Sequence, residues 1–186
     1  MPEIARKISI LAISGSLRAA SVNSAVLRCA IKQAPEHIDI TLFDGVGSLP
    51  HFNPDLDNGT VAEPVKLFRQ QLAAADGVLI ACPEYAHGAP GAFKNALDWV
   101  VASGELVNKP LALFNAAPRA NLAQESLLET LSVMSAKMIA AASVTLPITI
   151  KNITETQILA DAELCRVLKS AVDTFVAAIH ETQLQN

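Results

Sequence analysis

The chain has 186 residues, of which 51% are hydrophobic and 17% are charged. This composition is too apolar for a disordered protein, and the length is sufficient to bury a substantial core. Fourteen lysines and arginines stand against 18 aspartates and glutamates, for a formal net charge of −4, which argues against the basic surface of a nucleic-acid-binding protein. We therefore expect one domain over residues 1–186 and no nucleic-acid partner.

The cysteines and histidines give no sign of a disulfide framework or a metal site. Cys29, Cys82 and Cys165 are odd in number and far apart, so we interpret them as buried thiols in a reducing compartment. His37, His51 and His180 have no metal-ligand spacing. The N-terminus lacks the apolar segment of a signal peptide, and no run approaches the roughly 20 apolar residues of a membrane span. These features predict a cytoplasmic protein without a metal or a membrane partner.

Short apolar runs alternate with longer amphipathic stretches along the chain. The runs predict strands at residues 7–13, 38–43, 77–82, 110–114 and 139–146. Several are apolar almost throughout, as expected for strands that are covered on both faces.

The amphipathic stretches predict helices with one buried face each. Thr60 and Glu63 have the spacing of a capping box, and Pro64 fits the first turn that follows. Pro90 is expected to open the next helix, and Thr154 with Gln157 to cap the last one. The predicted inward residues are, helix by helix, Val65, Phe68, Leu72 and Ala75; Phe93, Leu97, Val100 and Val101; Leu127, Leu131, Met134 and Met138; and Ile158, Cys165, Val172, Phe175 and Ile179.

The βα alternation predicts the fold class. Right-handed crossovers between parallel strands place helices on both faces of one sheet. Five strands in a chain of this size predict an α/β, flavodoxin-like, doubly wound parallel sheet. A ligand of this fold binds at the carboxyl ends of the strands, so the loops after the strands are the candidate site.

The loop after the first strand has the composition of an anion site. It contains Ser16, Arg18, Ser21, Asn23 and Ser24 and leads into a helix. The free N–H groups of a helix N-terminus favour an anion, hydroxyl and amide groups add donors, and an arginine suits phosphate oxygens. The loop has neither G-x-G-x-x-G nor a P-loop lysine. A plainer interpretation stays open, in which Ser21 or Asn23 only caps the helix and Arg18 is solvated.

The loop after the third strand carries the only tyrosine of the chain, Tyr85. Two prolines and two glycines predict a preformed loop, and its exposed N–H groups from Glu84 to Gly88 can bind the polar edge of a flat ring. A phosphate site beside an aromatic platform predicts FMN as the cofactor. Alternatives remain for each residue: Tyr85 as a packing residue, Glu84 as a carboxylate at a helix end, and His87 without a role in proton transfer.

At these two loops the sequence resembles the NADPH-dependent FMN reductase family, which includes quinone, chromate and azo reductases. The resemblance rests on SGSLRAASVNSAVL at 14–27 and on PEY-x-x-G-x-PG-x-x-KN-x-x-DW at 83–99, supported by LPHFNPDLD at 49–57. It implies a cofactor site made of Ser16, Arg18, Ser21, Asn23, Ser24, Pro83, Glu84, Tyr85, Ala86, His87, Gly88 and Ala117. Many members of the family have asparagine and serine where this chain has Ala86 and Gly88, so here the backbone must supply the polar contacts.

The loop after the fourth strand, residues 115–121, completes the expected site. It contains Ala117 and, unlike the longer segment usual in the family, has no glycine. Arg119 is a candidate for contact with the 2′-phosphate of NADPH, with a surface position as the alternative.

We therefore hypothesise an FMN-dependent oxidoreductase in which hydride passes from NADPH, or NADH, through the flavin to a quinone, a second flavin or a similar small acceptor. The cofactor carries this chemistry, so no catalytic side chain is assigned. The resemblance also implies a homodimer or homotetramer. The alternatives are a flavodoxin-type electron carrier, which the arginine and the mild acidity disfavour, a flavin binder without turnover, and a receiver domain, for which the strand ends lack the required aspartates.

Overall fold

The structure is a computed structural model that describes residues 6–118, 121–150 and 152–185. Its elements, in chain order, are β1 Ile8–Ser14, α1 Val22–Gln33, β2 Ile38–Phe43, α2 Glu63–Ala74, β3 Gly77–Ala81, α3 Gly91–Asp98, β4 Pro110–Asn115, α4 Asn121–Val133, β5 Lys137–Met138, β6 Val144–Thr145, α5 Glu155–Ala160 and α6 Ala162–Leu184. None of the helices within this described part is both long and apolar enough to cross a membrane.

The strands form one parallel sheet in the order β2-β1-β3-β4-β5, and β6 also pairs with β4. This is the flavodoxin-like order, so the predicted fold class is confirmed. The strand order reverses between β1 and β3, which are hydrogen-bonded neighbours. Loops that leave the sheet on either side of such a reversal diverge, and the crevice between them is the usual ligand site of the fold.

Successive residues of the central strands point into two separate cores. Ile10 and Ala12 of β1 face the core formed with α1, α5 and α6, while Leu11 and Ile13 face the core formed with α2, α3 and α4. This alternation explains why the strands are apolar throughout, because both faces are covered. The predicted buried face of α2 is confirmed in full, with Val65, Phe68, Leu72 and Ala75 all buried.

The predicted fifth strand, residues 139–146, is wrong as a single element. Two short strands, β5 and β6, flank a 3₁₀ turn at Ala140–Ala142. After the turn, the hydroxyl of Ser143 accepts a hydrogen bond from the N–H of Leu113 at 3.1 Å and so replaces one bond of the strand ladder. An apolar run alone does not distinguish a strand from such a turn.

Three helix predictions need correction at their ends. Ala62, not Thr60, precedes α2, and no side chain caps that helix. Val101 lies beyond the end of α3 and is exposed, and Met138 belongs to β5. For Val101 and Met138 the apolar periodicity continued past the point where the helix ends.

The predicted last helix is two helices. The capping box of Thr154 and Gln157 is present at the start of α5, but Asp161 ends that helix and accepts hydrogen bonds from the N–H groups of Glu163 and Leu164 at the start of α6. The break changes the helical phase. Leu164 is therefore buried where Cys165 was expected, and Cys165 is half-buried.

A close approach of the chain occurs at the carboxyl ends of β1 and β3. The N–H of Gly15 donates to the carbonyl of Ala81 at 2.9 Å, and a Cβ on Gly15 would lie 2.6 Å from the Sγ of Cys82. Gly15 therefore serves packing and not a left-handed turn. The absence of a side chain lets the two loops of the site start side by side.

This packing predicts a position-dependent effect of adding one methyl group. Gly15→Ala should lower the free energy of unfolding by about 1–3 kcal/mol, because a Cβ overpacks the contact with Cys82. Gly91→Ala is the matched control, since no atom lies within 4 Å of a Cβ there, and it should leave stability unchanged or raise it by up to about 1 kcal/mol. Urea unfolding measures both, and equal effects of the two substitutions would contradict the assignment.

Candidate functional site

A cavity of about 620 Å³ lies at the carboxyl edge of the sheet, within the size range of small-molecule and cofactor sites. Loops after β1, β3, β4 and β6 form its walls. The lining residues are Ser16, Arg18, Ser21, Val22, Asn23, Pro83, Glu84, Tyr85, Ala116, Ala117, Pro118, Ile148, Thr149, Ile150 and Asn152. The structure therefore brings together most of the residues predicted from the first, second and third loops.

The first wall is the turn from β1 into α1. Ser21 is the N-cap of α1, and its hydroxyl accepts a hydrogen bond from the N–H of Ser24 at 3.3 Å. The N–H groups of Val22 and Asn23 precede the first hydrogen bond of the helix, which joins Ala25 to the Ser21 carbonyl. Free N–H groups at the positive end of a helix dipole make this turn a suitable anion site.

Asn23 and Arg18 add side-chain groups to this wall. Asn23 is buried, yet its Oδ1 has no hydrogen-bond partner among the described residues. This oxygen is an acceptor, so it can take a hydrogen bond from a donor of a ligand but does not itself bind an anion. Arg18 is exposed, and its guanidinium donates to Oδ1 of Asn152 at 3.5 Å, across the mouth of the cavity.

Ser24 does not line the cavity. Its hydroxyl donates to that of Ser14 at 2.8 Å, and the Ser14 hydroxyl accepts a hydrogen bond from the N–H of Ser16 at 3.2 Å. Ser14 and Ser24 therefore form a buried pair behind the loop and hold the backbone of Ser16 in place. The prediction that Ser24 binds phosphate stays untested, but this geometry gives its hydroxyl a different partner.

The second wall is a tight hairpin. Tyr85 and Gly88 form an antiparallel bridge with N···O distances of 2.9 and 3.0 Å, and Ala86 and His87 between them have φ angles of 49° and 65°. Two central residues of positive φ define a type I′ turn. The expectation of free N–H groups from Glu84 to Gly88 is thus wrong for Tyr85 and Gly88, whose N–H groups pair with each other's carbonyls.

The side chains of this hairpin point to different surroundings. Tyr85 lines the cavity and is 52% exposed, so its ring forms an open wall rather than part of the core. Ala86 and His87 are exposed at the tip and do not line the cavity, and neither does Gly88. The backbone N–H groups of Ala86 and His87 take no part in the Tyr85–Gly88 pairing. They are therefore the N–H groups of this hairpin that can donate to another molecule.

Glu84 lies where the second and third walls meet. Its Oε2 accepts a hydrogen bond from the N–H of Ala123 at 2.9 Å, in the first turn of α4. This is the position that the sequence left as the alternative, a carboxylate at a helix end. On the third wall, Ala117 lines the cavity and its N–H donates to Oδ1 of Asn115 at 2.9 Å. Arg119 lies outside the described residues.

The fourth wall was missed by the sequence analysis. Ile148, Thr149, Ile150 and Asn152 follow β6 and lie across the cavity from the hairpin. Ile148 packs against the core beneath, whereas Ile150 is exposed. A parallel sheet places every segment that leaves a carboxyl end at the same edge, so the position of this segment after the last strand was the available signal.

The second half of the 83–99 motif holds the segment at 50–57 and does not line the cavity. Asn95 donates to the Pro50 carbonyl at 3.0 Å and accepts from the N–H of Phe52 at 2.7 Å, while the Trp99 indole donates to the same Pro50 carbonyl. The same segment is also held from α2, where Arg69 donates to both carboxylate oxygens of Asp57. These hydrogen bonds lower the pKa of the Asp57 carboxyl. This part of the motif therefore has a structural role.

The described residues near the cavity include a buried thiol but no metal cluster. Burial raises the pKa of the Cys82 thiol, which lies beneath the first loop, to about 12, so the thiol stays protonated and unreactive near neutral pH. Among the described residues, no three histidine, cysteine, aspartate or glutamate side chains come together in the manner of a metal site.

The cavity therefore combines two chemical environments. At α1 it offers N–H groups, hydroxyls, an amide and a guanidinium, which suit a small anion. Towards β3, β4 and β6 it is lined by Pro83, Tyr85, Pro118 and Ile150, which suit a flat apolar ring. An elongated ligand with an anionic end and a planar aromatic end matches both environments.

Comparison with known proteins agrees with this geometry. The family model described as NADPH-dependent FMN reductase matches residues 8–151. An NAD(P)H-dependent FMN reductase of Pseudomonas aeruginosa is 40% identical over 112 residues, which cover 59% of this chain and 60% of that protein. An NADPH:quinone oxidoreductase of Arabidopsis thaliana is 38% identical over 113 residues, covering 58% of this chain and 57% of that protein. The matches thus span less than two thirds of these relatives.

The fold has a solved counterpart over nearly its full length. The flavoenzyme NAD(P)H:(acceptor) oxidoreductase FerB of Paracoccus denitrificans superimposes with a TM-score of 0.73 and 27% identity, covering 94% of this chain and 98% of that one. The likeness therefore extends beyond the segments matched in sequence.

The hairpin geometry predicts opposite effects of one substitution at two sites. His87→Gly should raise the free energy of unfolding by about 0.5 kcal/mol, because glycine removes the left-handed strain of that position. His51→Gly should lower it by a similar amount, since His51 is exposed and is not in the left-handed region. Urea unfolding of the ligand-free protein measures both, and a loss of stability at both sites would contradict a strained turn.

Proposed function

Because this chain belongs to the NADPH-dependent FMN reductase family, we propose that it binds FMN in the cavity at the sheet edge and transfers hydride equivalents from NAD(P)H to a small acceptor. Quinones and flavins are the proposed acceptors. They are the substrates for which two relatives, an FMN reductase and a quinone oxidoreductase, are named.

The observation that carries this proposal is the division of one cavity into an anion-binding end and an apolar end. The N–H groups of Val22 and Asn23 at the start of α1 and the Arg18 guanidinium lie at the anion-binding end, and these donors fit a phosphate monoester. The ring of Tyr85 lies at the other end, half exposed and free of core packing. The residues present therefore fit both ends of FMN.

Each group of the site has a binding or orienting task in this proposal. Ser16, Asn23 and the N-terminus of α1 hold the phosphate, and Arg18 supplies the countercharge. Pro83 and Tyr85 line the part of the cavity that takes the ring. When bound, FMN supplies the hydride chemistry. The protein therefore needs no side chain with an altered pKa in the cavity, and its contribution is position.

Several finer properties belong to the same proposal. We propose that residues 1–186 act as one domain in the cytoplasm and assemble as a homodimer or homotetramer. The three free cysteines support a reducing compartment. Exposed apolar residues on α4 and after α3, such as Val133 and Val101, are consistent with association of copies.

The function is tested by a flavin spectrum. The purified protein, supplied with FMN and freed from excess, should show the absorbance of an oxidised flavin, lose it when NADPH or NADH is added without oxygen, and regain it when benzoquinone is added. A protein that retains no FMN contradicts the cofactor assignment. Retention of FMN without bleaching by either nicotinamide supports a carrier or binding module instead.

The phosphate assignment predicts a ligand-dependent effect at Arg18. Arg18→Ala should weaken FMN binding by about tenfold or more, the effect of losing one charged hydrogen bond, and should leave the weaker binding of riboflavin, which has no phosphate, unchanged. Fluorescence titration of both flavins measures this difference. Arg166→Ala is the control, because Arg166 is an exposed arginine of α6 that pairs with Glu163. An equal loss of both flavins would contradict a phosphate role for Arg18.

A further inference from the structure

The wall after β4 is held to the hairpin wall by one carboxylate. Glu84 precedes the hairpin and is half-buried, and its Oε2 lies 2.9 Å from the N–H of Ala123. Ala123 is the third residue of α4 and is buried. The bond therefore spans 39 residues of sequence and joins the loops that leave two neighbouring strands.

The position of this carboxylate makes the bond a strong one. The N–H groups in the first turn of a helix have no partner within the helix, and the positive end of the helix dipole lies there. A carboxylate acceptor satisfies one of these donors and interacts favourably with the dipole. Charge-assisted bonds of this kind are about twice as strong as neutral ones.

Fixing the start of α4 also restrains the wall beside it. Ala116, Ala117 and Pro118 line the cavity and lead towards the helix that Glu84 holds. At the other end of this short segment, the N–H of Ala117 donates to Oδ1 of Asn115 at 2.9 Å, next to the end of β4. The described part of this wall is thus held at its strand end by Asn115, and the helix that follows it is held by Glu84.

We propose that Glu84 is a positioning residue that sets the gap between the Tyr85 hairpin and the wall at 116–118. The inference deepens the proposed function, since this gap is the part of the cavity assigned to the flavin ring. Glu84 acts on the ring through the position of α4, and not by contact with it. Both its reach and its charge serve this role, because the bond must span the distance between the two loops and gains strength from the helix dipole.

Three substitutions separate reach from charge. Glu84→Gln keeps the length of the side chain and an acceptor oxygen but removes the charge. Glu84→Asp keeps the charge but is one methylene shorter, and Glu84→Ala removes both. Glu129→Ala is the matched control, because Glu129 is an exposed carboxylate of the same helix, outside the cavity.

The first readout is hydrogen exchange of the Ala123 amide in the ligand-free protein. We expect exchange about tenfold faster in the Ala and Asp variants, a smaller increase in the Gln variant, which keeps the bond without its charge, and exchange close to that of the parent protein in Glu129→Ala. The second readout is FMN affinity by fluorescence titration. It should follow the same order, with about tenfold weaker binding in the Ala and Asp variants and a smaller loss in the Gln variant.

The two readouts keep this inference separate from the proposed function. An Ala123 amide that stays protected in Glu84→Ala overturns the inference, as does an FMN affinity that is unchanged when the protection is lost. If Asp binds FMN as tightly as the parent protein and Gln does not, charge outweighs reach and the inference is also wrong. If the parent protein binds no FMN, the proposed function fails, whereas the exchange data still decide whether Glu84 holds α4.

Discussion

The parallel pairing of β1 with β3 is the constraint on which the rest of the site depends. Ser14 lies opposite Ala81 in the register, and the Gly15 N–H continues the pairing to the Ala81 carbonyl. Because Gly15 has no side chain, the chain passes directly over Cys82. The anion-binding turn and the Tyr85 hairpin therefore leave the sheet from adjacent points and bound one cavity. A ligand that reaches from one to the other needs only a short linker between its anionic and aromatic parts.

Features that repeat along the sequence were predictable, whereas features set by a single hydrogen bond were not. The apolar runs of β1 and β3 and the face of α2 repeat over several residues and identify the fold. The ends of elements depend on local contacts that leave no periodic signal. Asp161 ends α5 because its carboxylate binds the N–H groups that open α6, and Ser143 replaces part of a strand through its hydroxyl.

The same distinction applies within the site. The residue types of the first two loops predicted an anion beside a ring, and the structure gathers Ser16, Asn23 and Tyr85 at one cavity. The direction of individual side chains was not predictable, because it depends on neighbours brought together by folding. Ser24 turns to Ser14, and Glu84 turns to the start of α4. The residue types of a loop show which chemical groups are available to a ligand. Tertiary contacts determine which of these groups face the cavity.

The interruption between β5 and β6 has a consequence at the rim of the sheet. Each of these strands pairs with β4 over two residues, and the 3₁₀ turn at Ala140–Ala142 stands between them. A foreign strand that approached this rim would find no continuous row of amides and carbonyls to join. Long, unbroken margins invite runaway sheet growth and fibril formation. The discontinuity at this margin thus disfavours the addition of another strand beside β5 and β6.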